Sequence, residues 1–187
     1  AIVMAQNNKR VIVLDCDLRN PKIHKFFEVS NRIGLSDLLS DTNITLEDVL
    51  QPLDVPGLKV ITTGGLPPNP AELLGSNKMR HLLDELSKIA DVILVDSPPT
   101  LAVTDAAVLA PLMDGVLIVA YPGRTHEGAL ARALSQMAKT QARVLGMVLN
   151  NVGAKGNTYG YSYHYYNQYK SYYGSEKAQK NGFLNLF

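Results

Sequence analysis

Val11-Ile-Val-Leu-Asp15-Cys-Asp17-Leu-Arg19 runs four apolar residues into an aspartate, and Val92-Ile-Leu-Val-Asp96-Ser-Pro-Pro99 repeats the pattern later in the chain. Short, branched, nearly continuous apolar runs of this kind suit strands of a parallel sheet covered on both faces. Residues 58–62, 116–120 and 144–150 read the same way. Between them, residues 71–89, 104–110 and 125–142 are predicted helices, with two smaller ones at 35–39 and 45–50. Residues 1–6 read as the last turns of a helix, and Asn7-Asn8-Lys9 as the turn into the first strand. In the 125–142 segment, Ala129, Leu130, Ala133, Leu134, Met137 and Ala138 recur at helical spacing, which predicts a core-facing stripe and a packing role for Met137. Strand and helix alternate through most of the chain, the pattern of βαβ construction, so the predicted class is α/β with a mostly parallel sheet and helices on both faces.

The bulk properties agree with one soluble domain. The chain has 187 residues, 46% of them hydrophobic, and no apolar run approaches the roughly 18 residues that cross a bilayer. Eighteen basic residues against seventeen acidic ones leave a net charge of +1, which gives no general reason to expect nucleic-acid binding. The single cysteine, Cys16, excludes an internal disulfide framework; it lies between two aspartates that oppose thiolate formation, so it reads as a small packing residue. No leader for secretion is expected, and the abrupt opening Ala1-Ile-Val-Met-Ala-Gln6 raises the expectation of further chain upstream.

The two acidic strand ends carry the chemistry. Open α/β sheets bind ligands at the carboxyl ends of their strands, where Asp15, Asp17 and Asp96 are expected to lie. Magnesium takes hard oxygen ligands and often keeps waters between protein and substrate phosphates. Asp17 and Asp96 fit the positioning of such an ion, and Asp15 fits the orientation of a metal water or the acceptance of a proton. Arg19 either contacts phosphate or organises the acidic turn. The alternative is that Asp15 and Asp96 merely end strands in hydrogen-bonded turns, which either segment alone would favour and the pair together does not. His24, His126 and His164 show no metal-ligand spacing, and Ser97 has no visible base partner. A Gly-rich phosphate loop ending in Lys-Ser/Thr is absent from the 187 residues: neither Gly64-Gly65 nor Gly153-Ala-Lys-Gly156 has that form. The residues therefore supply the acidic half of a nucleotide site.

Composition changes after Asn151, and the chain divides into a catalytic-type region, 1–151, and a tail, 152–187. Tyr159, Tyr161, Tyr163, Tyr165, Tyr166, Tyr169, Tyr172 and Tyr173 place eight of the nine tyrosines within fifteen consecutive residues. No ordinary core needs that concentration. Stacking on nucleic acid is the bland reading of such a tail, but no base-reading module accompanies it.

At this point the sequence resembles the cytoplasmic catalytic domain of the bacterial tyrosine kinases that regulate capsular and exopolysaccharide synthesis. These are P-loop ATPases, near the septum-site and plasmid-partitioning ATPases. The resemblance rests on Ile12-Val-Leu-Asp15-Cys-Asp17-Leu-Arg19, Ile93-Leu-Val-Asp96-Ser-Pro-Pro99, Gly65-Leu-Pro-Pro-Asn-Pro-Ala-Glu-Leu-Leu74 and the tyrosine cluster. It implies a P-loop NTPase-like fold lacking its first central strand, with ATP and Mg2+ as cofactors. It further implies Asp15, Asp17 and Arg19 as catalytic residues, Asp17 and Asp96 at the metal, and Asn150 and Asn151 near the nucleotide base. The implied activity is transfer of the γ-phosphoryl group of ATP to tail tyrosines of the same or a neighbouring subunit. The implied partners are a homo-oligomer, a transmembrane polysaccharide-chain regulator, fused or separate, and a cognate tyrosine phosphatase. Together these imply a cytoplasmic location at the inner face of the plasma membrane. A partitioning-type ATPase, or a non-catalytic assembly protein, is the alternative.

Tail phosphorylation would have a physical effect. Lys155, Lys170, Lys177 and Lys180 against Glu176 give a local charge of about +3, and each phosphotyrosine adds roughly −1.5 to −2, so two neutralise it or begin to reverse it. Repulsion would then withdraw the tails from neighbouring acidic sites and loosen an oligomer.

Overall fold

A computed structural model describes residues 1–152; the eight clustered tyrosines, His164 and the tail as a unit lie outside the described residues. The first strand, β1 (Val11–Asp15), is the pivot. All five of its residues are buried, as its unbroken apolar run requires. It pairs in parallel with β3 (Leu58–Ile61) on one side and β4 (Val92–Asp96) on the other. A short strand, β2 (Leu50–Pro52), joins the outer edge of β3 antiparallel, giving the order β2-β3-β1-β4. Pro52 is tolerated because β2 is an edge strand.

Alternation along β1 sends its side chains to two cores. Ile12 and Leu14 face α3 (Leu35–Ser40), α5 (Pro70–Leu74) and α6 (Asn77–Ile89), through Leu35, Leu39, Leu74, Met79, Leu82 and Leu86. Val11 and Val13 face α1 (Ile2–Gln6) and α2 (Ile23–Phe27), through Ala5, Ile23 and Phe27. Helices therefore cover both faces of this sheet. A four-residue helix, α4 (Leu46–Val49), leads into β2 and is closed by a reciprocal Thr45–Asp48 box.

Two expected helices are shorter than the periodicity suggests. The 71–89 segment is two helices, α5 and α6, because the chain breaks at Gly75-Ser76 and restarts with the Ser76 hydroxyl accepting from the Met79 N–H at 3.2 Å. Next, α7 (Asp105–Leu109) passes into a 3₁₀ turn at Ala110–Leu112, where Pro111 lacks the amide needed to continue the helix.

The last two strands, β5 (Val116–Ala120) and β6 (Val144–Leu149), form a separate parallel pair, and among the described residues no ladder joins β4 to β5. The helix α8 (Glu127–Lys139) covers one face of the pair, packing Leu130 and Met137 against Ile118, Val116 and Val144. On the opposite face Leu117 and Val119 stay 57% and 56% exposed, so the expectation of burial on both faces fails for β5. The predicted stripe of α8 narrows likewise: Ala133 and Met137 are buried and Leu130 partly so, while Leu134 and Ala138 are exposed. Met137 packs as expected.

Candidate active site

The register of β1 against β4 puts Asp15 directly beside Asp96 at the carboxyl ends of two parallel strands. The Cys16 N–H donates to the Asp96 carbonyl at 2.9 Å, so the pairing continues one residue past the acids. Adjacent strands lie roughly 4.8 Å apart, so the two carboxylates share one small region. Asp17, in the turn beyond β1, joins them.

Local backbone donors hold each acid of the first motif. Asp15 is fully buried, and its Oδ1 and Oδ2 accept from the Asp17 and Ile23 N–H groups, both at 3.2 Å. Asp17 Oδ1 accepts from Arg19 N–H at 3.2 Å and Asn20 N–H at 3.0 Å, an Asx-type turn that fixes the carboxylate. Burial raises the Asp15 carboxyl above its ordinary range, against the pull of the two N–H donors, and the charges of Asp96 and Asp17 raise it further. Burial first, and then the Asp17 charge, raise Asp96. A group of like charges with raised carboxyls is the field that a cation relieves.

The donor set fits a divalent cation held jointly with a ligand. Among the described residues no three His, Cys, Asp or Glu side chains are grouped as an all-protein metal cage. Magnesium bound to one or two carboxylates, with water and phosphate completing its shell, needs no such cage. Asp17 Oδ2 accepts no hydrogen bond among the described residues and is left for such an ion.

Arg19 reaches elsewhere. Its Nε and Nη2 donate to Asp105 Oδ2 and Oδ1 at 2.8 and 2.9 Å, a two-bond fork onto a fully buried carboxylate at the start of α7. Asp105 is the residue that sequence reasoning missed; Thr104-Asp105 signals only a helix start. Cys16 is buried in the core, and its thiol is pushed well up by burial and by Asp15 and Asp96, in keeping with a packing role.

The glycine-proline loop after β3 is pinned beside this site, since Thr63 Oγ1 donates to the Asp15 carbonyl at 3.4 Å. Asn31 both donates to the Gly64 carbonyl and accepts from the Gly64 N–H, at 3.1 and 2.9 Å. The Ser36 hydroxyl donates to the Gly65 carbonyl, and Asp37 accepts from the N–H groups of Gly34 and Gly65 at 2.9 and 3.2 Å. A Cβ at Gly34 would overlap the Thr62 carbonyl and the Gly64 amide, so only glycine permits this approach. Asn150 and Asn151 lie past β6 in the second sheet. Asn150 Nδ2 donates to the Tyr121 hydroxyl at 3.3 Å, and no hydrogen bond among the described residues links either asparagine to the aspartates.

Residues 1–185 match the ParA family, described as a NUBPL iron-transfer P-loop NTPase. The tyrosine-protein kinase YwqD of Bacillus subtilis (strain 168) is 37% identical over 162 residues, which cover 86% of this chain and 68% of that protein. The tyrosine-protein kinase etk of Escherichia coli (strain K12) is 38% identical over 163 residues, 87% of this chain, but only 22% of the larger protein. The solved kinase domain of the Escherichia coli tyrosine kinase ETK superposes with a TM-score of 0.77 at 36% identity, over 86% of this chain and 64% of that one. The septum site-determining protein MinD of Pyrococcus horikoshii, solved with Mg-ADP, shares the fold with a TM-score of 0.65 at 20% identity, over 81% and 62% of the two chains. With its parallel sheet, its two acidic strand ends and these likenesses, the chain belongs to the bacterial tyrosine-kinase family of the P-loop NTPase superfamily.

Proposed function

We propose that this chain supplies the proton-accepting and metal-positioning half of a protein-tyrosine kinase whose acceptors are Tyr159, Tyr161, Tyr163, Tyr165, Tyr166, Tyr169, Tyr172 and Tyr173 of its own or a neighbouring tail. The observation that carries the reading is the Asp15–Asp96 pairing, with Asp17 beside it, in a chain that also carries eight clustered tyrosines. Mg2+ and ATP, when bound, supply the transferable γ-phosphoryl group and the cation that offsets its charge. Asp17 and Asp96 would hold the cation. Asp15, raised by burial and anchored through both oxygens, would take the phenol proton as the tyrosine oxygen bonds to the γ-phosphorus and the bond from that phosphorus to ADP breaks, ADP being the leaving group. Asn150 and Asn151, at the end of β6, are assigned to the base side of the nucleotide.

The kinase works as a homo-oligomer that exchanges tails between subunits. It acts at the inner face of the plasma membrane beside a transmembrane polysaccharide-chain regulator, is reset by a cognate tyrosine phosphatase, and thereby controls capsular or exopolysaccharide synthesis. Among the described residues no helix is long and apolar enough to cross a membrane, so attachment is assigned to such a regulator, fused or separate.

Radiolabelled ATP with residue-resolved phosphosite mapping on the full-length protein that carries these residues tests the proposal. Metal-dependent label is expected on the tail tyrosines, and Asp17→Asn is expected to reduce it by at least about 100-fold, the scale of losing a charged group that acts in the transition state. ATP hydrolysis without tyrosine labelling would assign the chain to the partitioning-type ATPases instead, and neither activity would make it a non-catalytic assembly protein.

A further inference from the structure

Asp105 is fully buried, and among the described residues only Arg19 donates to its carboxylate. A buried carboxylate deprived of its partner is strongly disfavoured, so it holds the guanidinium in place. The backbone of the same arginine has a second task, because its N–H donates to Asp17 Oδ1. Arg19 is thus fixed at both ends, with its amide on an acid of the site and its side chain on the first residue of α7.

The placement of α7 gives that anchor its effect. This helix is reached from Asp96 through residues 97–104, so the ion pair fastens the turn after β1 to the segment after β4. Together with the β1–β4 ladder it closes a ring: β1, the turn carrying Asp17, the Arg19–Asp105 pair, residues 97–104, and β4 ending at Asp96. No other side-chain hydrogen bond among the described residues joins the 16–22 and 97–112 segments. Gly75 carries the constraint further, since a Cβ there would press on Val108 of α7, so α5 and α7 are in close contact behind the glycine-proline loop.

We propose that Arg19 is a positioning residue: its guanidinium serves Asp105 and not a nucleotide phosphate, and the Arg19–Asp105 pair sets the relative placement of Asp17 and Asp96 on which divalent-cation binding depends. The inference rests on the reading of Asp17 and Asp96 as the cation-holding pair. Groups one bond removed from a metal ligand commonly change metal affinity 10- to 100-fold when lost.

The test compares the full-length protein with Arg19→Gln, Asp105→Asn and the double variant. Mn2+ affinity is read from water-proton relaxation in the presence of ADP, and ATP KM and kcat from tail phosphorylation at saturating Mg2+. Each single variant is expected to weaken Mn2+ binding about 10-fold. The double variant is expected to be no weaker than either single one, and ATP KM to stay within about twofold while the Mg2+ requirement rises. Arg19→Lys, which keeps the charge but loses the fork, is expected to recover part of the Mn2+ affinity and guards against misfolding of the Gln variant. A phosphate-contacting Arg19 gives a different pattern: Asp105→Asn frees the guanidinium and leaves Mn2+ and ATP binding intact, while Arg19→Gln raises ATP KM. That pattern, additive losses in the double variant, or a parent protein that binds no Mn2+ with ADP would overturn the proposal. Absence of tyrosine labelling in the parent protein would defeat the kinase reading alone, since the Mn2+ comparison needs no acceptor.

Discussion

The carboxylates at the two ends of the β1–β4 pair sit in opposite fields. At the entering end, Asp91 accepts from Arg10 Nη2 at 2.6 Å and from the Arg10 backbone N–H at 2.8 Å, and Arg10 draws its carboxyl down to about 2. A carboxylate lowered on folding contributes stability above its unfolded value, and that contribution is lost as pH falls through the folded one. Urea midpoints for the protein and for Asp91→Asn are therefore expected to differ above pH ~4 and to converge as pH approaches ~2. The pair is exposed, so the difference will be small and will shrink further in salt. At the leaving end the sign reverses. Asp15 and Asp96 are raised, so their contribution is present below the unfolded carboxylate range and is lost as pH rises through their folded values.

The helices show how far local signals reach. Ser76 starts α6, whose Met79, Leu82 and Leu86 are buried against the sheet, so Ser76→Ala is expected to cost about 1 kcal/mol by urea denaturation without moving the strands. That break was legible in principle, because Gly75-Ser76 is a helix stop followed by a cap; apolar periodicity running on both sides hid it. The β2 strand was not legible. Leu50-Gln-Pro52 has neither the length nor the alternation of a strand, and its pairing comes from the neighbouring β3 edge. The exposure of Leu134, Leu117 and Val119 was hidden for another reason: a periodic apolar pattern shows which side chains could be buried, not whether anything covers them. At the site, Asp15, Asp17 and Asp96 stood out because an apolar run ending in an acid is a local pattern. Asp105 did not, since its partner lies 86 positions away and only the fold brings the two together.

Across the molecule, the two sheets differ in support. β1 has a strand on each side and apolar cores on both faces, whereas β5 and β6 have one helix-covered face. Native-state hydrogen exchange is expected to show the β1 amides most protected and those of β5 and β6 opening first; equal protection would mean that the sheets unfold as one unit. The ladder between β1 and β4 bears also on the birth of the chain. Arg10 and Asp91 are 81 positions apart, so the central strand leaves the ribosome long before its neighbour exists. At roughly 5–20 residues per second, synthesis of that interval takes about 4–16 s. For those seconds a strand of four consecutive apolar residues waits with an open edge, and early folding of this chain falls within the reach of chaperones and of aggregation.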